Sequence, residues 1–417
     1  MKQLFAEVIT IGDELLFGQI TDTNTQWISA ELSKIGIRVI RKSSVGDDEQ
    51  EILTILKEAE SRADLIVITG GLGPTKDDIT KNTLAKYFNS TLVLNEIALQ
   101  DLTEFFKKRG RDLTEINRQQ AFLPDKCTMI RNRMGTAPGM WFYKDNKVFV
   151  SMPGVPFEME EMMRSDLLER IKTHFVTPVI YHKVIRTIGI GESFLAEKIE
   201  SWEDNLPAHI KLAYLPSIAE VKLRLTAIGD VQEILEKEVG QEVEKLKSIA
   251  GNYIYGYDDE EFEKVIGGIL IRHNKKVGFA ESCTGGFLSY SITKIPGASS
   301  YFAGSIVAYE NDVKINQLGV KPQTLEEFGA VSEQTVKEMA RGVRERLKTD
   351  IGIATSGIAG PSGGTPDKPV GTIWIAFDDG VNVLTRKLQI SWSREVNIKW
   401  TAMAALNLIR TTLDKID

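Results

Sequence analysis

A multidomain α/β protein led by a doubly wound, three-layer sheet is the fold class this sequence predicts. Three observations predict it. Strand and helix patterns alternate from the start of the chain. The run Asp64-Leu65-Ile66-Val67-Ile68-Thr69 is apolar over a strand's length, the pattern of a parallel strand buried on both faces. The 417 residues exceed one ordinary core, since domains run to about 100–200 residues.

In chain order, Glu7–Gly12 reads as a strand, and the segment carrying Trp27, Ile28, Leu32 and Ile35 reads as a helix closed by Gly36, which tolerates a left-handed cap. A strand at Ile37–Ser43, a helix carrying Ile52, Leu53, Ile55 and Leu56, and the Asp64–Thr69 strand follow. Strands at Thr128–Arg131 and Lys147–Ser151 and a helix from Phe157 complete a first domain, residues 1–170. Residues 178–252 form a small α+β module: strands at Ile180–Ile188 and Ala219–Ile228, helices at Phe194–Ile199 and Val231–Ile249. The third domain, 258–417, opens with a helix through Val265 and Leu270 and a buried strand at Val277–Ala280.

An apolar fraction of 42% and a charged fraction of 26% suit soluble globular domains with sizeable cores. The net charge of −7 argues against nucleic acid, whose binders carry a basic face. Met1–Glu7 lacks the features of a signal peptide and no apolar run is long enough for a bilayer, so a cytoplasmic protein without a membrane partner is expected. Cys127 and Cys283 alone make neither a disulfide framework nor a zinc cluster, and His174, His182, His209 and His273 lack ligand spacing.

The most informative segment is Val277–Leu288, where a strand passes through Glu281-Ser282-Cys283-Thr284-Gly285-Gly286 into a helix. Such a turn aims backbone N–H groups and the positive helix end at Ser282. It suits a nucleophile beside an oxyanion hole, and equally an ordinary helix cap. His273 precedes the strand, at the end opposite Ser282, which leaves lysine as the alternative base. The strand Ser305–Tyr309 runs into a helix capped by Asn311 or Asp312, with Lys314 in its first turn. A third strand, Ile351–Thr355, leads into a loop containing Gly357, Gly360, Pro361 and Gly363, with Lys368 beyond it. Glycines there can wrap N–H groups around an anion, with Lys368 adding charge for a phosphate. Three polar loops after three strands favour one cleft over three unrelated turns.

A second set of residues gathers in the first domain: Gly12, Asp13, Glu14, Gly18, Asp22, Asn24 and Asp47, then Gly70, Gly71, Gly73, Pro74, Thr75, Asp77 and Asp78, and finally Pro153 and Gly154. Each group follows a strand or opens a helix. Glycines that approach phosphates beside carboxylates suit a diphosphate held with a divalent cation, with Asp77 and Asp78 as the expected ligands. Some of these aspartates are expected to be plain helix caps.

The Glu281–Gly286 turn, the Tyr309–Lys314 segment and the Gly357-Ile358-Ala359-Gly360-Pro361 loop resemble the C-terminal domain of the CinA (competence/damage-inducible) family, and the resemblance covers essentially the whole chain. It implies an amidohydrolase that converts nicotinamide mononucleotide to nicotinate mononucleotide and ammonia without a cofactor, and a homodimer. Ser282 would attack the carboxamide, Lys314 act as base, Tyr309 assist, and amides of Thr284 to Gly286 hold the oxyanion, with Cys283 the rival nucleophile. The first domain resembles the molybdopterin-binding family, in the branch whose implied activity is metal-dependent hydrolysis of ADP-ribose to AMP and ribose 5-phosphate. Alternatives are a molybdopterin-binding module and a binding protein of competence or DNA damage. The middle module resembles a KH-type fold, but Ile188-Gly189-Ile190-Gly191 lacks the Gly-x-x-Gly clamp, which disfavours RNA.

Overall fold

A computed structural model describes residues 4–414. The outermost residues of the first and third expected domains, 1–3 and 415–417, lie outside the described range. Two compact units are found, one running to Tyr181 and including Ile228–Leu235, the other made of His182–Ala227 and the chain from Glu236 onward. The expected middle module therefore lies mainly in the same unit as the C-terminal sheet.

The first unit holds a six-stranded sheet in the order Ile37–Val45, Leu4–Ile11, Leu65–Thr69, Lys147–Met152, Gly139–Lys144, Thr128–Ile130. The first four strands are parallel, and helices on both faces cover them, so Leu65–Thr69 is buried throughout as its apolar run requires. The strands expected at Thr128–Arg131 and Lys147–Ser151 both continue this sheet, and Gly139–Lys144, absent from the sequence reading, pairs antiparallel with each of them. Gly139–Lys144 returns as a hairpin through Asp145 and Asn146, both at positive φ. A two-residue loop of that kind matches the twist of its strands. Gly36 stands at φ 84 past the helix Asn24–Lys34, where a Cβ would lie 2.1 Å from the carbonyl oxygen of Pro178.

In the second unit, a four-stranded antiparallel sheet includes Ile210–Ser217, a strand the sequence reading lacked, paired with Glu220–Gly229. The C-terminal sheet runs Phe302–Val307, Val277–Glu281, Ile351–Gly357, Thr372–Asp378, Val383–Gln389. Its first three strands are parallel and the last two antiparallel. Ile188 and Tyr255 share one apolar cluster with Phe262, Ile266, Phe279 and Leu406, so module and sheet are built on a common core. Among the described residues no helix is long and apolar enough to cross a membrane.

Candidate functional sites

Register brings the three parallel C-terminal strands to a common end, because Glu281 pairs with Val307 on one side and Thr355 on the other. The amide of Ser282 donates to the Thr355 carbonyl at 2.9 Å, and that of Ala308 donates to the Glu281 carbonyl at 2.8 Å. Ser282, the Tyr309 segment and the Gly357–Gly363 loop thus leave the sheet side by side, as the sequence predicts. The strand before Tyr309 ends at Val307, and the next helix, Asn311–Leu318, is preceded by Glu310 and has no side-chain cap from Asn311 or Asp312.

Lys314 is 1% exposed, and its Nζ donates to the carbonyls of Ala308 at 2.8 Å and Tyr309 at 3.0 Å. Burial lowers its pKa, against the opposing pull of Glu310 and Cys283. Carbonyl partners leave the lysine without a paired carboxylate, so the neutral amine is favoured relative to a surface lysine. No hydrogen bond joins Ser282 Oγ to Lys314 Nζ. Cys283 is enclosed, and burial pushes its thiol up to about 12. This overturns the idea that a helix end activates it, since a thiol that stays protonated is a poor nucleophile.

Glu281 takes a different place from the one expected. It is fully buried and accepts from the amides of Gly286 at 2.9 Å, Leu288 at 3.0 Å and Ser289 at 2.9 Å, and from the Ser289 hydroxyl. The start of the helix Phe287–Thr293 is therefore neutralised from beneath, and Gly286 N–H is withdrawn from any oxyanion hole. Gly285 N–H is spent on the Ser282 carbonyl at 3.2 Å. Of the expected donors Thr284 N–H remains without a partner among the described residues. Its hydroxyl pairs with that of Thr355 at 2.8 Å, which fixes the turn.

Lys368 also departs from expectation: its Nζ donates to the Phe328 carbonyl at 2.6 Å. The cation at the cleft is instead Arg394, from the start of the helix Arg394–Leu413, which sequence reasoning missed. It donates to the Gly360 carbonyl at 2.7 Å and to the Tyr309 hydroxyl at 3.0 Å. Asn397, one turn on and buried, donates to the Ala359 carbonyl at 3.0 Å. A cation at a helix N-terminus opposes the dipole, and that was the available signal that Arg394 has a tertiary duty. The loop needs its glycines: Gly360 and Gly363 sit at φ 87 and 91, and a Cβ on Gly357 would meet Ile373 at 2.6 Å. Pro361 follows a cis peptide bond. His273 bonds Asp414 at 3.0 Å.

In the first unit, loops after four parallel strands meet at one sheet edge. Gly12 N–H donates to the Val45 carbonyl at 3.1 Å and Gly70 N–H to that of Met152 at 3.0 Å. Gly70 has φ 115 and lies so near Ile11 that a Cβ would come within 2.0 Å of its carbonyl oxygen. Asn24 donates to the Gly154 carbonyl at 2.8 Å and to Thr69 Oγ1 at 3.2 Å, while Thr69 donates to the Pro153 carbonyl at 2.8 Å. Asp13 and Asp47 exchange bonds, each amide donating to the other's carboxylate at 3.2 and 3.3 Å. Burial, then the charges of Asp13, Glu14 and Asp77, raise the Asp47 pKa against the Asp13 amide bond. Gly71 lies against Thr80, and Gly18 is in open space at φ 67.

Two expected ligand residues are spent on structure. Asp22 accepts from Thr25 N at 2.9 Å and Thr25 Oγ1 at 2.7 Å, so it caps the helix Asn24–Lys34. Asp78 accepts from Thr75 N at 2.9 Å and Thr75 Oγ1 at 2.5 Å, closing the loop beside Gly73 and Pro74. Among the described residues no three His, Cys, Asp or Glu side chains are gathered to hold a metal ion. The Asp77–Asp78 pair is therefore not a preformed centre. The charges of Asp13, Glu14 and Asp77 reach Asp47, but only the Asp13–Asp47 pair is joined by hydrogen bonds.

The architecture and both strand-end clusters define a multidomain α/β protein whose first domain has the molybdopterin-binding type of fold. Residues 7–173 match the probable molybdopterin binding domain, 182–256 the damage-inducible protein CinA KH domain, and 259–413 the CinA C-terminal domain. A CinA-like protein of Cytophaga hutchinsonii is 51% identical over 99% of this chain and 99% of its own length. One of Flavobacterium psychrophilum is 44% identical over 97% of each. The crystal structure of CinA from Thermoplasma acidophilum, described as of unknown function, is 37% identical with a TM-score of 0.37, covering 41% of this chain and 98% of that one. The chain belongs to the CinA family.

Proposed function

We propose that the C-terminal domain hydrolyses the carboxamide of nicotinamide mononucleotide and that the N-terminal domain hydrolyses ADP-ribose with a divalent cation. The observation that carries the first reading is the buried Lys314 amine, held against the carbonyls of Ala308 and Tyr309 while Ala308 is bonded to the residue preceding Ser282. Ser282 Oγ attacks the amide carbon and its proton passes to the neutral Lys314 amine. The Thr284 amide receives the developing oxyanion, an interaction worth about 3 kcal/mol for one well-placed donor. As the C–N bond breaks, the proton goes to the departing nitrogen and ammonia leaves. Water then cleaves the acyl ester, giving nicotinate mononucleotide and free serine. Arg394 and the Gly357–Gly363 loop are the groups available to the substrate phosphate, and Tyr309 is bonded to Arg394 through its hydroxyl and to Lys314 through its carbonyl.

In the N-terminal domain, Gly70 and Gly71 bring backbone close to a diphosphate, and the bonded pair Asp13 and Asp47 would supply part of the ligand set of the cation, the rest coming from phosphate oxygens, whose charge the cation would neutralise. The partners of this reading are the two nucleotides and a second copy of the chain, with neither nucleic acid nor membrane. Ammonia release from nicotinamide mononucleotide, and AMP release from ADP-ribose with and without chelator, test the two halves in the intact protein. No turnover of either compound, together with co-purification of a fluorescent pterin, would replace this reading by a molybdopterin-binding one.

A further inference from the structure

The strand Ile254–Tyr257 and the helix Phe262–Arg272, both in the second unit, border a groove of about 970 Å³ that also has Arg410 and Asp414 in its wall. That volume lies at the upper end of the range of about 300–1,000 Å³ usual for small-molecule sites. The groove shares no residue with the Ser282 cleft or with the sheet edge of the first unit. The helix gives it Lys264, Val265, Gly268, Ile269 and Arg272, one stripe at helical spacing. Ile254 and Tyr255, 9% and 8% exposed, supply apolar wall from the strand. A Cβ on Gly267 would meet the Tyr301 ring at 2.6 Å, so packing demands that glycine, whereas a Cβ on Gly268 would meet only Arg272 Nη1, at 3.7 Å. Glycine weakens a helix interior, and no neighbour requires it at 268. What it preserves there is bare backbone on the floor of the groove.

The charges in the wall are unequally matched. Lys183 is bonded to Asp258 at 2.6 Å, Arg272 to Asp414 at 2.8 Å, and Glu261 lies 3.2 Å from Lys294. Lys264 and Arg410 have no carboxylate partner among the described residues. Arg410 is 4% exposed and donates to Asn407 Oδ1 at 2.9 Å and to the carbonyls of Ile254 and Asn252, which leaves guanidinium N–H groups over. A buried cation without a counter-anion is unfavourable, and burial lowers the Arg410 pKa against the pull of Asp414. The strand does not offer its edge to a peptide, because Arg410 takes the Ile254 carbonyl and the Glu260 carboxylate accepts from the Tyr257 amide at 2.8 Å. We propose that the groove binds a small organic anion with a flat apolar body, its ring lying on the backbone at Gly268 and its acidic group facing Lys264 and Arg410. Glycine permits such close approach of a ligand to backbone, and one anionic group on an apolar body matches both the apolar wall and the unpaired cations. The inference is independent of the nicotinamide and ADP-ribose readings.

The test titrates the full chain with two fluorescent probes, 8-anilinonaphthalene-1-sulfonate and N-phenyl-1-naphthylamine, which share one flat skeleton and differ by the sulfonate. In the unaltered protein the sulfonate is expected to saturate a single site and to bind severalfold tighter than the neutral amine. Gly268→Leu puts a side chain on the groove floor, and leucine is the better helix former, so the variant should melt no lower than the unaltered protein. Its affinity for the sulfonate should nevertheless fall by about tenfold or more. Saturating nicotinamide mononucleotide should leave the probe bound, since the Ser282 cleft is lined by other residues. Equal affinity for the two probes in the unaltered protein, unchanged sulfonate binding in Gly268→Leu, or displacement by the nucleotide overturns the site.

Discussion

Ser282 and Cys283 are adjacent, and burial of the intrinsically more reactive thiol leaves the hydroxyl as the available nucleophile. Cys283 is held protonated, its thiol pushed up to about 12, so Cys283→Ala should keep a substantial part of the ammonia release that Ser282→Ala abolishes. Lys314→Met, which keeps the length and removes the amine, should lose activity almost as fully. The pH dependence follows from the same burial. A base works as the neutral amine, so activity should rise with pH through the depressed Lys314 pKa and level off below the ordinary lysine value of 10.5. Glu310 pulls that pKa upward, so Glu310→Gln should move the rising limb to lower pH. A limb that stays in place, followed by an ammonia assay across pH, would show that another group titrates. The positions of Ser282, Tyr309 and Lys314 after strand ends were legible from local pattern, while the roles expected of them came from the family resemblance. Arg394 was not, since its partners, Gly360 and Tyr309, are 34 and 85 residues away.

Whole elements decide which acidic residues face a ligand and which hold a helix. Glu281 caps Phe287–Thr293 from inside the fold. Glu281→Ala would leave several buried amides unpaired, and should cost on the order of 3 kcal/mol, read as a lower denaturant midpoint. Asp22 caps Asn24–Lys34, so Asp22→Ala should cost about 1 kcal/mol of stability in the N-terminal unit and leave ammonia release unchanged. Asp47→Asn should behave in the opposite way. It removes a carboxylate from the Asp13, Glu14 and Asp77 cluster, relieving repulsion, so stability should hold or rise while ADP-ribose hydrolysis and its dependence on added divalent ion fall. A fully active Asp47→Asn variant in excess chelator would remove the cation from the mechanism. The spacing of Asp22 and Asp78 does not separate cap from ligand, because an aspartate before a helix serves either role. Only the bonds to Thr25 and Thr75 choose.

Across the molecule, the middle module and the C-terminal sheet share a core and a buried cation. Arg410, 4% exposed in the C-terminal helix, donates to the carbonyls of Asn252 at 2.7 Å and Ile254 at 3.3 Å. A fragment of residues 258–417 loses both partners. It should be less stable than a fragment of residues 182–417, because the core shared with Ile188 and Tyr255 is opened to water and Arg410 loses two carbonyl partners. Faster amide exchange around Arg410 in the shorter fragment is the corresponding readout, and equal exchange would deny the coupling. The sequence by itself determined the α/β class, the parallel strands and the loops that carry polar residues, because apolar periodicity and glycine placement are local properties of a chain. It also carried the family, through short motifs at strand ends. Tertiary structure alone decided that Glu281 faces the helix beneath it, that Lys368 turns to Phe328 while Arg394 takes the cleft, and that Asp78 closes its own loop. The Lys368 and Arg394 contacts depend on which carbonyl lies nearest after the strands align, a distance set by packing among residues far apart in the chain, whereas Glu281 and Asp78 bond residues only a few positions away, where the sequence leaves cap and ligand equally open and the folded backbone chooses.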